Sequence, residues 1–218
     1  MNPFLRLFFL KVSFWLIIIA IFSSCSDENI LEAEINAIPV DIKIDRFDLK
    51  FYNADPQEYL NLKKKYPYLF PKQFPDSIWI KRQRDSIQTL LHAEIKTVYP
   101  SLDPIKVKLT SLYKHIKYYF PEIPDPHVVT VVNNVDYQSK TVFTDTLLIL
   151  SLDTYLGSKN PLYEGIPNYI VQDMELPFMT SHIVDELGTT VVKNSSNRTL
   201  LEQMVYNGKK LYLKDILL

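Results

Sequence analysis

Apolar residues recur every three or four positions through Ile105, Leu109, Leu112, Ile116 and Phe120, the spacing of one helix face. Asp103-Pro104 gives this helix an acidic start and a first-turn proline, and Pro121 stops it. A long helix is predicted just upstream, capped by Asp76 or Ser77 and ended by Pro100. Its face is Ile80, Ile87, Leu91, Ile95 and Val98, spaced seven, four, four and three apart. Asp55-Pro56-Gln57-Glu58 reads as a cap, a first-turn proline and an acid at the third position, leading into Tyr59, Leu60 and Leu62.

The period changes to two in Val40–Asp45, where apolar and charged residues alternate as in a half-buried strand. Val128–Val132 and Thr141–Ser151 are further β-rich runs. The turn-forming cluster Asn133–Asp136 lies between them, so the simplest expectation is an antiparallel pair. Helix signals then return. A short helix is expected over Asn168–Met174. Met179, Ile183 and Leu187 follow at intervals of four, with Gly188 at a stop position. Thr199-Leu-Leu-Glu202 is a capping box before Met204 and Val205, and Gly208 stands at another stop position. Leu211–Leu218 reads as the opening of one more element, so a truncated C-terminus is expected. Together these elements predict an α+β fold: one mostly helical domain over residues 39–218 with a small sheet.

The N-terminus reads differently. Arg6 and Lys11 precede the apolar run Val12–Phe22, which is too short to span a bilayer comfortably and fits a signal-peptide core. Ser23, Ser24 and Cys25 follow, and the whole resembles a bacterial lipoprotein signal with Cys25 as the lipid attachment residue. Residues 1–24 are then the signal peptide and residues 25–38 a polar, lipidated tether. An uncleaved anchor helix is the alternative. Ser26-Asp27-Glu28-Asn29 is similar to a surface-export signal of Bacteroidota lipoproteins, and equally to a solvated linker.

Composition narrows the chemistry. Lys and Arg total 24 against 25 Asp and Glu, which excludes a strongly basic nucleic-acid binder. The glycines are Gly157, Gly165, Gly188 and Gly208. None stand two or five apart, which removes both the dinucleotide fingerprint and the Walker loop. Cys25 is the single cysteine, so no intrachain disulfide can form. Gly-x-Ser-x-Gly and His-Glu-x-x-His are both absent. The nearest approach to a metal motif is His182, Asp185 and Glu186, which share a helix face at i, i+3 and i+4. A solvated polar face is the simpler reading, because catalytic zinc usually takes three protein ligands. His115 with Tyr113, Tyr118 and Tyr119 reads as a tyrosine-rich core face rather than an aromatic cage. Lys63–Lys65 and Lys81–Arg84 could touch anionic headgroups, but read more simply as the wet side of helices. Asp76-Ser77-Ile78, Asp85-Ser86-Ile87 and Asp145-Thr146-Leu147 are weakly similar to a Bacteroidota glycosylation sequon.

Five segments carry a family likeness in their order: Asp41–Asp48, Tyr66–Pro71, Tyr118–Pro124, Leu150–Gly157 and Leu201–Asp215. Behind a lipoprotein signal, they resemble the gliding motility lipoprotein GldB family. The resemblance implies a lipid-anchored, non-enzymatic component of surface gliding in the cell envelope. It would be held at the inner or outer membrane with a periplasmic domain, and would act beside other motility and secretion proteins. The family is distantly similar to putative zinc peptidases, which implies a degenerate zincin-like fold. The metal motif would fall around Met179–Thr189, where the residues do not match. The expectation is therefore no catalytic residue, no metal, no cofactor, no nucleic acid and no small-molecule substrate. A divergent metallopeptidase or envelope hydrolase built around His182 is the alternative.

Overall fold

The computed structural model describes residues 26–144, 146–194 and 199–218, with side chains from Ile30 onward. The signal peptide and Cys25 lie outside the described residues. Ser26–Ala37 forms helix α1, where a polar tether was expected. Ala33, Ala37 and three glutamates are strong helix formers, and no Gly or Pro interrupts them before Pro39.

Val40–Leu218 is a separate compact unit. It contains a four-stranded sheet and the helices packed on it. The strands are β1 (Lys43–Asp45), β2 (His127–Val131), β3 (Thr141–Phe143) and β4 (Leu147–Ser151), in spatial order β1-β2-β4-β3. β1 runs parallel to β2, with Lys43 opposite His127. β2 runs parallel to β4, with Val129 opposite Ile149. The expected antiparallel pairing of β2 with the downstream run is therefore overturned. The run Thr141–Ser151 turns back on itself, with the Thr144 N–H donating to Leu147 O at 2.9 Å. It forms its own antiparallel hairpin, with Val142 opposite Ile149, and β4 takes the place beside β2.

The helices are α2 (Phe47–Asn53), α3 (Pro56–Lys65), α4 (Asp76–Gln83), α5 (Ser86–Val98), α6 (Asp103–Tyr119), α7 (Asn168–Val171), α8 (Met179–Val191) and α9 (Leu200–Leu217). The single long helix expected before Pro100 is two. The Asp85 carboxylate accepts the N–H groups of Ile87 and Gln88, capping α5 and ending continuity with α4. The supposed common face dissolves accordingly. Leu91 and Ile95 are buried, whereas Ile80, Ile87 and Val98 are exposed. Gly188 and Gly208 lie inside α8 and α9 rather than at their ends. Gly188 faces α9 closely: a Cβ there would stand 3.3 Å from the flexible Lys210 Cε and 3.5 Å from Leu213 Cδ2. Nothing in the structure explains Gly208. The capping boxes of α3 and α9 form as expected, at Asp55/Glu58 and Thr199/Glu202.

Alternation along the strands sends side chains to two cores. Val128, Leu148 and Leu150 enter the larger one, with Ile105, Leu109, Leu112 and Ile116 of α6 and Ile183 and Leu187 of α8. Each such aliphatic side chain contributes about 1.5–3 kcal/mol on full burial. Val129 points the other way, into Phe47, Phe51, Tyr59, Tyr66 and Phe70. These rings meet mostly edge-on, Phe47 against Tyr66 at 5.1 Å and Phe70 against Trp79 at 5.2 Å.

Candidate functional site

His182 projects from the first half of α8 into a polar cluster. Lys140, just before β3, donates to Asp173 Oδ1 at 2.6 Å. His182 Nε2 lies 3.1 Å from Asp173 Oδ2, and the Tyr155 hydroxyl lies 3.0 Å from His182 Nδ1. The consistent assignment is a neutral ring whose Nε2–H donates to the carboxylate while Nδ1 accepts from Tyr155. Burial, followed by the Lys140 charge, pushes the His182 pKa down against the pull of Asp173. Burial moves the Tyr155 hydroxyl pKa upward.

Both ring nitrogens of His182 are thus engaged. Asp185 does not join it: it accepts from Lys214 of α9 at 2.7 Å. Glu186 is exposed. The solvated polar face expected for these residues is really three separate environments. Among the described residues no group of three His, Cys, Asp or Glu could hold a metal ion. The donor set around His182 does not fit the zinc site that the distant peptidase likeness implies, and no metal-assisted step is derived from it.

A cavity of about 250 Å³ opens at the carboxyl ends of β2 and β4, on the side of the sheet covered by the aromatic core. Crevices outside the carboxyl ends of parallel strands are where open α/β sheets place ligands. The β1–α2 junction supplies Phe47 and Asp48, the segment before α4 supplies Tyr68–Pro71, and α4 supplies Trp79 and Arg82. Val131–Asn133, Val142, Ile149 and Ser151 come from the sheet, and Gln88 and His92 from α5. Helix α5 therefore serves both sides, giving Leu91 and Ile95 to the larger core and its next face to the cavity.

The polar groups of this cavity differ in how they are satisfied. Asp48 is 2% exposed and saturated. Arg46 Nη2 donates to its Oδ2 at 2.7 Å, Arg46 Nε to its Oδ1 at 2.9 Å, and the Thr130 hydroxyl to Oδ1 at 2.6 Å. His92 is also 2% exposed, stacked on Tyr52 with ring centroids 4.1 Å apart, and its Nδ1 has no partner. Burial, partly offset by the Asp48 charge, lowers its pKa to about 4, so it is neutral at pH 7. Arg82 donates through Nη2 to Val132 O at 3.1 Å. Burial depresses its pKa while the charge of Asp153 acts the other way.

Asp153 sits behind the cavity floor and shapes it. Its Oδ2 accepts the N–H of Asn133 at 2.9 Å and of Val135 at 2.7 Å. These bonds hold a turn in which Asn134 and Val135 both have positive φ, 55° and 54°. That conformation is costly for a β-branched valine. Asp153 Oδ1 is buried without a side-chain partner, and desolvation raises the pKa to about 6 against the backbone bonds and the Arg82 charge.

A family model described as gliding motility protein GldB matches residues 28–218. The chain belongs to the GldB family. No curated protein and no solved structure matches it. Three of the five segments that carry the sequence likeness to GldB meet at the cavity: Asp41–Asp48, Tyr66–Pro71 and Leu150–Gly157 each contribute to its walls. Among the described residues of this GldB chain, no helix is long and apolar enough to cross a membrane. Lys63 binds Asp76 and Lys65 binds Asp45, so these basic residues are tied to their own fold. Asp45 also takes Lys50 and the Tyr66 hydroxyl. Burial alone would raise its pKa, but these bonds outweigh burial and hold it at about 2. Tyr113 is fully buried while Tyr118 is exposed, so the expected tyrosine face divides between core and solvent. Of the three glycosylation-like positions, Asp76 binds Tyr59 and Lys63, Asp85 is the α5 cap, and Asp145 lies outside the described residues.

Sequence reasoning missed Arg82, His92, Asp48 and Asp153. Asp85-Ser86 carried the one available signal, since reading it as a cap would have separated α4 from α5 and set Gln88 and His92 on a face of their own.

Proposed function

We propose that this GldB chain is a lipid-anchored, non-enzymatic component of the gliding machinery. Fatty acids on Cys25 would hold it to an envelope membrane, with the domain on the periplasmic side. The family match over residues 28–218 carries this reading. The lipoprotein-like order of Arg6 and Lys11, the Val12–Phe22 core and Cys25 supports the anchor. Stable membrane attachment needs more than one acyl chain, and a lipoprotein N-terminus supplies several.

The non-enzymatic reading is supported by the internal bonds of the side chains that sequence alone makes suspicious. His182 positions Tyr155 and Asp173, and Asp185 ties α8 to α9. The family role further suggests that the domain works in contact with other motility and secretion proteins. Deletion of the gene, followed by complementation, tests the proposal through the spreading of cells on agar. Loss of spreading, restored equally by the wild-type gene and by His182→Gln, is expected. Normal spreading of the deletion strain overturns the motility role. A folded His182→Gln protein that fails to restore movement overturns the non-enzymatic reading.

A further inference from the structure

We propose that the cavity at the carboxyl end of the sheet binds a small amphipathic carboxylate, an aromatic or branched apolar body bearing one carboxylate group, with Arg82 meeting the charge. The walls set the body. Phe47, Phe51, Phe70, Trp79, Val131 and Ile149 form an apolar lining, and a volume of about 250 Å³ admits a single ring or branched chain.

The charge is set by what the polar groups still lack. A guanidinium offers five N–H donors, and the only bond found for Arg82 among the described residues goes to Val132 O. It makes no ion pair among those residues. The carboxylate lining the same cavity, Asp48, already takes the fork of Arg46 and the Thr130 hydroxyl. Asp153 directs one oxygen to the backbone of the Asn133–Val135 turn and is not itself a cavity wall. The cavity therefore presents one half-buried cation with free donors; the charge of Asp153 acts on Arg82 from outside the cavity wall without forming an ion pair with it. A carboxylate matches the planar fork of arginine in shape as well as in charge.

His92 is the second, independent sign of a ligand. It lines the cavity at 2% exposure with Nδ1 unpartnered. Buried polar atoms are normally hydrogen-bonded, and this nitrogen, lying just behind the cavity surface, is left without a partner. The inference does not rest on the motility role, and each can fail without the other.

The test uses the full-length chain in detergent. Trp79 stands in the wall and reports directly, Trp15 being the other tryptophan. 3-Phenylpropionate, its uncharged amide and the peptide Ala-Ala-Phe are titrated against Trp79 fluorescence and by calorimetry. Saturable binding of an acid is expected, at least tenfold tighter than the amide. Arg82→Gln should remove that tenfold preference and leave the amide unchanged. Tighter binding of the peptide assigns the site to a polypeptide C-terminus, and equal or tighter binding of the free acid assigns it to a small molecule. Val142 lines the cavity while 43% exposed, so Val142→Phe can fill the space without disturbing the core. This variant should abolish binding of acid and amide alike at an unchanged melting temperature. No saturable binding of either acid below 10 mM, equal affinity for acid and amide, or an Arg82→Gln protein that binds the acid like wild type would overturn the proposal.

Discussion

Replacing Asp153 with asparagine should flatten the pH dependence of stability. The Asp153 carboxyl is buried, and desolvation lifts its pKa from the ordinary 3.8 to about 6. The folded state then holds this proton more tightly than the unfolded chain does. Stability contributed by the group is full below the unfolded pKa and is lost as pH rises through the folded one. Between roughly pH 5 and pH 7.5 the wild-type protein should lose about 1–2 kcal/mol from this carboxyl alone. For a unit of this size that is a fall of about 3–6 °C in melting temperature. In the Asp153→Asn protein the side-chain amide would still offer an oxygen to the N–H groups of Asn133 and Val135. Its added N–H₂ would sit where Oδ1 has no partner, a cost independent of pH. Other groups titrate in both proteins, so the informative quantity is the difference between wild type and variant, followed by urea unfolding at each pH. Parallel curves would refute the reasoning, because they would mean that Asp153 does not change charge in this window.

Three further outcomes follow from packing and capping. Asp48→Ala should cost about 2–3 kcal/mol in urea unfolding, since it strands the partly buried Arg46 fork and the buried Thr130 hydroxyl. Gly188→Ala should stabilise by roughly 0.5–1 kcal/mol in thermal melts. The atom that must yield is the flexible end of Lys210 at 3.3 Å. Thr199→Ala should cost about 1 kcal/mol, seen as faster hydrogen exchange of the first-turn amides of α9, because the hydroxyl caps the Glu202 N–H.

The parts of the fold that could be read from the sequence are those fixed by local chemistry. Helix α6 has a start, a periodic face and a proline stop within one stretch, and four of its five predicted apolar positions are buried. The capping box of α9 is equally local. Strand partners are not local. The run Thr141–Ser151 is rich in apolar residues on either side of Thr144–Thr146, and the place available beside β2 decides how β3 and β4 pair. Gly188 misled for a related reason: the composition of a stop signal and of a close helix contact is the same, and the neighbour that distinguishes them is Lys210, on another helix. The cavity draws on residues from Phe47 to Ser151 that share no spacing motif. Arg82 therefore read as part of a basic run, and nothing local singled out His92.

The central claim is that a folded GldB domain serves gliding while fixed to a lipid leaflet through one sulfur. Changing Cys25 to serine at the native locus, and scoring palmitate labelling together with spreading on agar, tests it most directly. Label and spreading should both be lost while the protein remains present in the cell. A Cys25→Ser strain that spreads normally without labelled protein would contradict it.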